Sequence, residues 1–568
     1  MTPNAYDTRR TRLYDDPEGK FLHEVVIASC AMRGEQTALV DTSCSPAIRI
    51  SYAGYADRVE SAARGLVSNG IRPGDRIGIF LPNCWEFGVA FHAALLAGAV
   101  PTTLNPTYRE REVRYQLETC DAVALVTDGP LVGDISLSGL HELRNVFTTR
   151  EHCAGSQPFE SLLKTRPGTS LPGAERDSRL ALATLPFSSG TTGLPKGVML
   201  THHNLVANVY QTLIPGEQGA ISDADVMLCF LPMYHIYGLT IGLNLSLIRG
   251  CPLVMMPRFD CEASLAVIQQ ESVTIALCVP PALLAYCHAA EQKRFPTDHH
   301  LKWVKSGAAP LSAELARRFQ SLTGVPIRQG YGMTEASPVT HIGFLEPQLY
   351  RPDSIGAPVA MTECRVVDEH GNDVAQGEFG ELVMRGPQFM LGYWKAPEAT
   401  DAVLRDGWYW SGDVVRMDET GQYYVVDRRK EMMKYKGFSI APAEVESVLL
   451  EHPAVRDCGV VSRVQADGEE LCGLPPRELQ ADPARNRPCD QPRQPVPVRP
   501  TLAPVGDDRD DSHHLADNEE PEHVAASLTG SEPGTEPAAE DRDDEEERSA
   551  GDERRAGRHS ASDVIARE

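Results

Sequence analysis

The chain has 568 residues, well beyond the usual size of one domain, so two or more cores are expected. Its net charge of −25 argues against nucleic acid as a partner, although a local basic loop on an acidic protein can still hold an anion such as ATP. The 14 cysteines include no Cys-x-x-Cys pair, a pattern that fits scattered reduced thiols in the cytoplasm better than disulfides or a zinc site. The first twenty residues, MTPNAYDTRRTRLYDDPEGK, are charged and lack the apolar core of a signal peptide. Residues 87–100 form the longest apolar run; His92 interrupts it, and it is too short to span a bilayer. No transmembrane segment is expected.

The first 180 residues alternate strand and helix patterns. RIGIFL (76–81) reads as a short strand, 86–96 carries helical periodicity, and AVALVT (122–127) reads as a second buried strand. Such alternation predicts a largely parallel sheet covered by helices, with these apolar residues as plain core. The next stretch, SSGTTGLPKG (188–197), gathers Ser188, Ser189, Gly190, Thr191 and Thr192 ahead of Lys196. Glycines let the backbone turn tightly around an anion, hydroxyls add donors, and the lysine supplies a mobile charge for outer phosphates. The spacing is not that of the common P-loop, and SSGTTG alone could equally be an ordinary surface turn. A strand expected over 225–231 ends at PMYHIYG (232–238). His235 thereby sits at a strand end, where α/β proteins place their ligands, or else is a structural histidine.

Two further segments follow, KSGAAPL (305–311) and QGYGMTEA (329–336). The small residues Gly307, Ala308 and Ala309 would let a flat ring such as adenine lie on the backbone. Tyr331 can stack on that base, Thr334 can donate to an α-phosphate, and Glu335 can hold Mg²⁺ through a hard oxygen. A β-rich section, with strand character over 356–368 and 380–385 and a turn at 369–372 between them, precedes WYWSGD (408–413), VVDRRKE (425–431) and KYKGF (434–438).

With PKGV attached, the loop at 188–197 resembles the signature loop of the adenylate-forming enzymes, which comprise acyl- and aryl-CoA ligases, luciferases and peptide-synthetase adenylation domains. SGAAPL and QGYGMTEASPV match that family in order and spacing, and PMYHIY is similar to the corresponding segment of coumarate–CoA ligases. The resemblance spans about residues 20 to 464. It implies ATP, Mg²⁺, coenzyme A and a small carboxylic acid as ligands. Nucleotide binding falls on the loop, on Gly307, Ala308 and Ala309, and on Gln329, Gly330, Tyr331, Gly332 and Thr334. Lys196, His235, Thr334 and Glu335 take catalytic roles, with Glu335 as the metal ligand. His235 is placed at the carboxylate end of the acyl pocket, Tyr237 lines that pocket, and Ile241 stands where coumarate–CoA ligases carry a serine for the phenol. Asp413 corresponds to the residue that takes the ribose hydroxyls, and Arg428 helps hold the nucleotide; their alternative is a surface turn and an ion pair. Lys430 lies at the interdomain hinge, Lys434 would contact the adenylate, and Lys436 and Gly437 would meet coenzyme A. Arg258 replaces a lysine that serves coenzyme A in the plant enzymes, keeping the charge with a different donor geometry. Ser439 replaces a glutamine.

The implied fold is α/β. A large N-terminal domain over 1–427 holds two α/β subdomains and a β-barrel-like one, followed by a truncated α+β C-terminal domain over 428–464. Residues 471–568 hold 24 acidic residues against 12 arginines and no lysine, and Phe438 is the last large aromatic residue. Such a segment buries too little apolar surface to offset the entropy of ordering, so a disordered acidic tail is expected over 465–568. Either an out-of-frame reading of a GC-rich gene or an evolved acidic tail would give this composition, and the coding DNA distinguishes them. The leading functional reading is a carboxylate–CoA ligase, with a carrier-protein-loading enzyme and a non-catalytic adenylate binder as alternatives. KYKGF favours coenzyme A as acceptor. The family's adenylation lysine, carried in a Gly-Lys segment late in the C-terminal domain, has no counterpart after Lys436, so slowed adenylation with retained ATP binding is expected.

Overall fold

Short β-rich runs bounded by turn residues become strands, and the amphipathic stretches between them become helices packed on the resulting sheets. The structure, a computed structural model, describes residues 13–133, 135–164, 168–173, 177–188, 194–214 and 218–428. It also describes the backbone of strands Met433–Tyr435, Phe438–Ile440, Gly459–Gln465 and Gly468–Leu474. The chain divides into two compact units, Met1–Val498 and Arg499–Glu568, and every described residue lies in the first.

A nine-stranded sheet organises that unit. From edge to edge its order is Ala357–Pro358, Val339–Ile342, Ile327–Gly332, Trp303–Ser306, Ile275–Cys278, Met227–Cys229, Leu253–Met255, Thr37–Asp41 and Ile48–Ser51. The central strands run parallel, and antiparallel pairs close both edges. The centre is buried on both faces, as the continuous apolar runs ILVM-type in these strands require. A second sheet, Val100–Thr103, Arg76–Phe80, Ala122–Asp128, Asn145–Thr149 and Gln157–Pro158, is parallel throughout. The helix expected over 86–96 forms as Trp85–Leu96 and is almost wholly buried, so its apolar run is core. Among the described residues no helix is long and apolar enough to cross a membrane. The β-rich section forms a third, antiparallel sheet built on Glu363–Val367, Gly380–Arg385, Trp408–Met417 and Tyr423–Arg428.

Three boundaries differ from expectation, each for a local reason. The strand placed at 225–231 covers only Met227–Cys229. Asp225 is instead drawn into a turn, where its carboxylate accepts from the Ser222 amide at 2.7 Å, Thr274 Oγ1 at 2.8 Å and Lys302 Nζ at 2.6 Å. The strand placed at 356–368 breaks around Met361, whose φ of 58° no strand residue adopts. Gly459–Gln465 and Gly468–Leu474 pair antiparallel, so described backbone runs to Leu474, past the expected start of the tail at 465. The remainder of that tail lies outside the described residues.

Candidate functional site

The two short strands that flank the glycine- and hydroxyl-rich loop in sequence, Phe187–Ser188 and Lys196–Gly197, pair antiparallel and set Ser188 directly opposite Lys196. Ser189, Gly190, Thr191 and Thr192 lie outside the described residues. The pair is anchored on several sides. Tyr115 OH donates to the Pro195 carbonyl at 3.0 Å. Gly197 lies so close to Phe187 and Trp394 that an added Cβ would come within 3.2 and 3.3 Å of them.

Glu335 comes to this pair of strands from the far side of the large sheet. It sits in the single turn Thr334–Ala336, just after strand Ile327–Gly332, and is 7% exposed. Its Oε1 accepts from Ser188 Oγ at 2.9 Å and from Tyr393 OH at 2.8 Å. The turn is held by Met333 N donating to Pro338 O at 2.9 Å, and by Met390 N donating to Glu335 O at 2.8 Å. Burial and the nearby Glu335 charge raise the Tyr393 phenol well above its ordinary value, so it remains a donor at neutral pH. Ser188, Lys196, Thr334 and Glu335 thus converge, as their order in the chain cannot show. Tyr393 was not anticipated; GYWK carries no local sign that its phenol reaches a carboxylate.

A second junction joins Tyr331 to Asp413. Tyr331 OH donates to Asp413 Oδ2, linking the large sheet to the antiparallel one. Asp413 follows Gly412, whose φ of 75° bends the strand, and its own amide donates to Ser411 Oγ at 3.1 Å. Arg428 is the backbone partner of Asp413 on the neighbouring strand. Lys434 lies on the strand Met433–Tyr435, described as backbone, while Lys430, Lys436 and Gly437 lie outside the described residues.

The third part is an apolar wall. Tyr237 is 6% exposed, and its OH donates to the Lys305 carbonyl at 3.2 Å. A Cβ at Gly307 would stand 3.3 Å from the Tyr237 ring and 3.1 Å from Gly330 O, so the glycine admits this approach. Ala308 takes a φ of 68°, turning the chain away from the strand end, with Ala309 exposed beside it. Ile241 is fully buried in the π-helix Gly238–Asn244, an element that recurs at functional sites. His235 is exposed at the strand end; its Nδ1 accepts from the Tyr237 amide at 3.2 Å. Gln329 spends its amide on the Pro352 carbonyl at 2.5 Å, and Gly330 packs on Lys305. Arg258 is exposed after strand Leu253–Met255, with no described contact to the rest of the set.

These groups suit a magnesium nucleotide. Ser188 Oγ bonds the Glu335 carboxylate and stands opposite Lys196, Ser306 Oγ beside Gly307 is buried without a partner among the described residues, and a hard carboxylate oxygen is what Mg²⁺ takes. No group of three or more metal-ligating side chains occurs among the described residues. A site with one carboxylate matches a metal bound largely through substrate phosphates.

A doubly covered parallel sheet with a phosphate-type hairpin, a carboxylate and an apolar wall at its strand ends defines a nucleotide-using α/β enzyme. The family model for AMP-binding enzymes matches residues 27–394. The chain is 37% identical to the 4-coumarate–CoA ligase 5 of Oryza sativa subsp. japonica over 464 residues, covering 80% of this chain and 84% of that one. It is 33% identical to the long-chain-fatty-acid–CoA ligase of Bacillus subtilis, over 69% of this chain and 74% of that one. The o-succinylbenzoate–CoA synthetase of Bacillus subtilis, solved with its acyl-adenylate, superposes with a TM-score of 0.69 at 28% identity, covering 79% and 87% of the two chains. The ATP-bound MatB of Rhodopseudomonas palustris gives 0.70 at 26% identity, covering 80% and 88%. The chain belongs to the AMP-binding enzyme family and is an acid–thiol ligase of that family.

Proposed function

We propose that this enzyme joins a carboxylic acid to coenzyme A at the expense of ATP, with Mg²⁺, by way of an acyl-adenylate. The observation that supports this reading is the bond from Ser188 to the buried Glu335 carboxylate at the place where Ser188 is paired with Lys196. In the first step a carboxylate oxygen attacks the α-phosphorus and pyrophosphate leaves; in the second the coenzyme A sulfur displaces AMP. The protein's contribution is position and fixed charge. Lys196 stands where it can neutralise the outer phosphates, and Thr334 offers a hydroxyl at the turn. His235, exposed at the strand end with Nδ1 already accepting, can present Nε2–H to the acid's carboxylate. Mg²⁺, when bound through Glu335 and the phosphates, offsets their negative charge. The Lys196→Ala enzyme should form adenylate at least about tenfold more slowly, roughly 1.4 kcal/mol in the barrier, with an unchanged melting temperature. ATP–pyrophosphate exchange measures it, and an unaltered rate would remove the phosphate role.

The acid is proposed to be apolar, a fatty acid rather than a hydroxycinnamate. Ile241 is fully buried and offers no hydrogen bond, so a phenol set against it would lose a partner at a cost of about 1–3 kcal/mol. In an exchange assay over a panel of acids, kcat/KM for 4-coumarate should fall below that for the best fatty acid. The reverse order would overturn the assignment.

The absence of any lysine between residues 437 and 568 supports one further element, slow adenylation beside intact ATP binding. Assays of each half-reaction on this chain, with pantetheinylated carrier protein as rival acceptor, test it: exchange at the rate of the curated relatives would refute it.

A further inference from the structure

Tyr393 follows the third sheet's Gly380–Arg385 strand in the chain, yet its surroundings belong to the ATP-handling groups. Its backbone is paired with the exit of the phosphate hairpin. Val198 and Tyr393 form an antiparallel bridge, Trp394 N donates to Gly197 O at 2.8 Å, and Met199 N donates to Gly392 O at 2.9 Å. Leu391 N returns a bond to Met199 O at 3.0 Å. This short ladder ties residues 391–394 to the three residues that follow Lys196. Tyr393 N in addition takes Thr400 Oγ1 at 2.9 Å, which locks its backbone from the other side. The side chain, 9% exposed, then makes contacts of two kinds with the ATP-handling groups. Its hydroxyl donates to Glu335 Oε1 at 2.8 Å, and Lys196 Nζ lies 5.6 Å from its ring centroid.

We propose that Tyr393 is a positioning residue that fixes two separate parts of the ATP site, aiming the Glu335 carboxylate through its hydroxyl and holding the Lys196 ammonium against its ring face. The two hydroxyl bonds from Ser188 and Tyr393 both end on Oε1, which orients the carboxylate plane and directs its other oxygen elsewhere. A carboxylate free to rotate would lose that aim, and a second-tier donor of this kind sets the affinity of the metal its acceptor holds. The ring supplies the other half. A cation within about 6 Å of an aromatic centroid is attracted to its face, so an unengaged Lys196 stays over the Tyr393 ring and does not swing into solvent. The metal arm rests on the reading of Glu335 as the Mg²⁺ ligand; the lysine arm does not.

The two arms come apart by mutation. Tyr393→Phe keeps the ring and deletes the hydroxyl, whereas Tyr393→Leu deletes both. Mn²⁺ binding to the complex of enzyme with a non-hydrolysable ATP analogue, followed by electron paramagnetic resonance, reads the first arm. Calorimetric binding of the same analogue in the presence of chelator reads the second. Tyr393→Phe should weaken Mn²⁺ about fivefold, the scale of one hydrogen bond, and leave metal-free nucleotide binding unchanged. Tyr393→Leu should weaken both, and in a Lys196→Ala background it should weaken metal-free binding no further. Glu335→Gln serves as reference for the metal. If Glu335→Gln lowers Mn²⁺ affinity and Tyr393→Phe does not, Tyr393 does not position the carboxylate although the Glu335 reading stands. If neither changes it, Glu335 is not the metal ligand and the metal arm fails with that reading. Additive losses from Lys196→Ala and Tyr393→Leu would overturn the lysine arm. Circular dichroism melts accompany each variant; should Tyr393→Leu not fold, Tyr393→Phe alone still decides the metal arm.

Discussion

Replacing Gly332 with alanine should cut adenylate formation at least about a hundredfold, close to 2.7 kcal/mol in the barrier, and lower the melting temperature. The reason is a collision that no side-chain rotation relieves. A Cβ at this position would lie 1.9 Å from Pro338 O, 2.7 Å from Pro338 C and 3.0 Å from Val339 Cα, all backbone atoms. The strand ending at Gly332 and the one beginning at Val339 would have to part, and the turn between them holds Thr334 and Glu335. The bond from Met333 N to Pro338 O, which closes that turn, is next to the collision and would lengthen first. Glu335 would then leave its two hydroxyl donors, and a displacement of about 1 Å in such a site costs on the order of a hundredfold. Gly173→Ala is the control, because a Cβ there meets nothing within 4 Å and its φ is not positive. Exchange at the wild-type rate in Gly332→Ala would show that the turn tolerates the shift.

Gly332 also shows what could be read from the chain and what could not. QGYGMTEA marks the turn, and the short run ahead of it marks the strand, because both are local consequences of glycine conformation and apolar burial. The same holds for the buried run of Trp85–Leu96. Tyr393 is different. Its role depends on a ladder between residues nearly 200 positions apart, and the residue types Gly-Tyr-Trp carry no trace of that pairing. Ile241 was legible as an apolar residue, but not the π-helical geometry around it. That geometry depends on how Gly238 and Gly242 approach the sheet: a Cβ on the first would meet Pro232 O at 2.4 Å, and on the second Cys229 Sγ at 3.0 Å. The three histidines of the helical layer were likewise invisible beforehand, since burial of a histidine is a tertiary property.

Those histidines should make the fold acid-sensitive well above the pH at which carboxylates titrate. His23, His92 and His202 are 8, 0 and 5% exposed, and the His23 and His202 rings are 5.4 Å apart. Burial pushes His23 down to about 4 and His92 to about 3, and it holds His202 well below its ordinary value. Geometry demands the neutral form independently. Leu22 N donates to His202 Nδ1 at 3.2 Å, so a proton added there would face an N–H. His92 Nδ1 is engaged by Tyr55 OH at 2.7 Å and Gly88 O at 3.2 Å, and the whole ring is buried away from water. The Asn244 carboxamide works in the opposite direction on His92, but burial outweighs it. In the unfolded chain each histidine returns to about 6.5, so between pH 6.5 and the folded values the unfolded state binds more protons. The stabilisation from neutral burial is therefore complete above pH 6.5 and is lost as pH falls. From pH 7.5 to 5.0, His23 and His92 together should lose roughly 4 kcal/mol at about 1.36 kcal/mol per unit, and His202 adds to the loss. That is a large part of a typical stability of about 5–15 kcal/mol. Glu86 and Asp128, both raised by burial, pull the other way, because folding favours their protonated forms. Their contribution opposes that of the histidines, and it grows as pH falls towards the ordinary carboxylate values. Thermal melts at pH 7.5 and 5.0 should show a marked drop in melting temperature, and His92→Gln, which removes one titrating group, should reduce the drop by about a third to a half. A melting temperature constant across that interval would mean that these rings reach water or an acceptor when protonated, and the burial argument would fail with it.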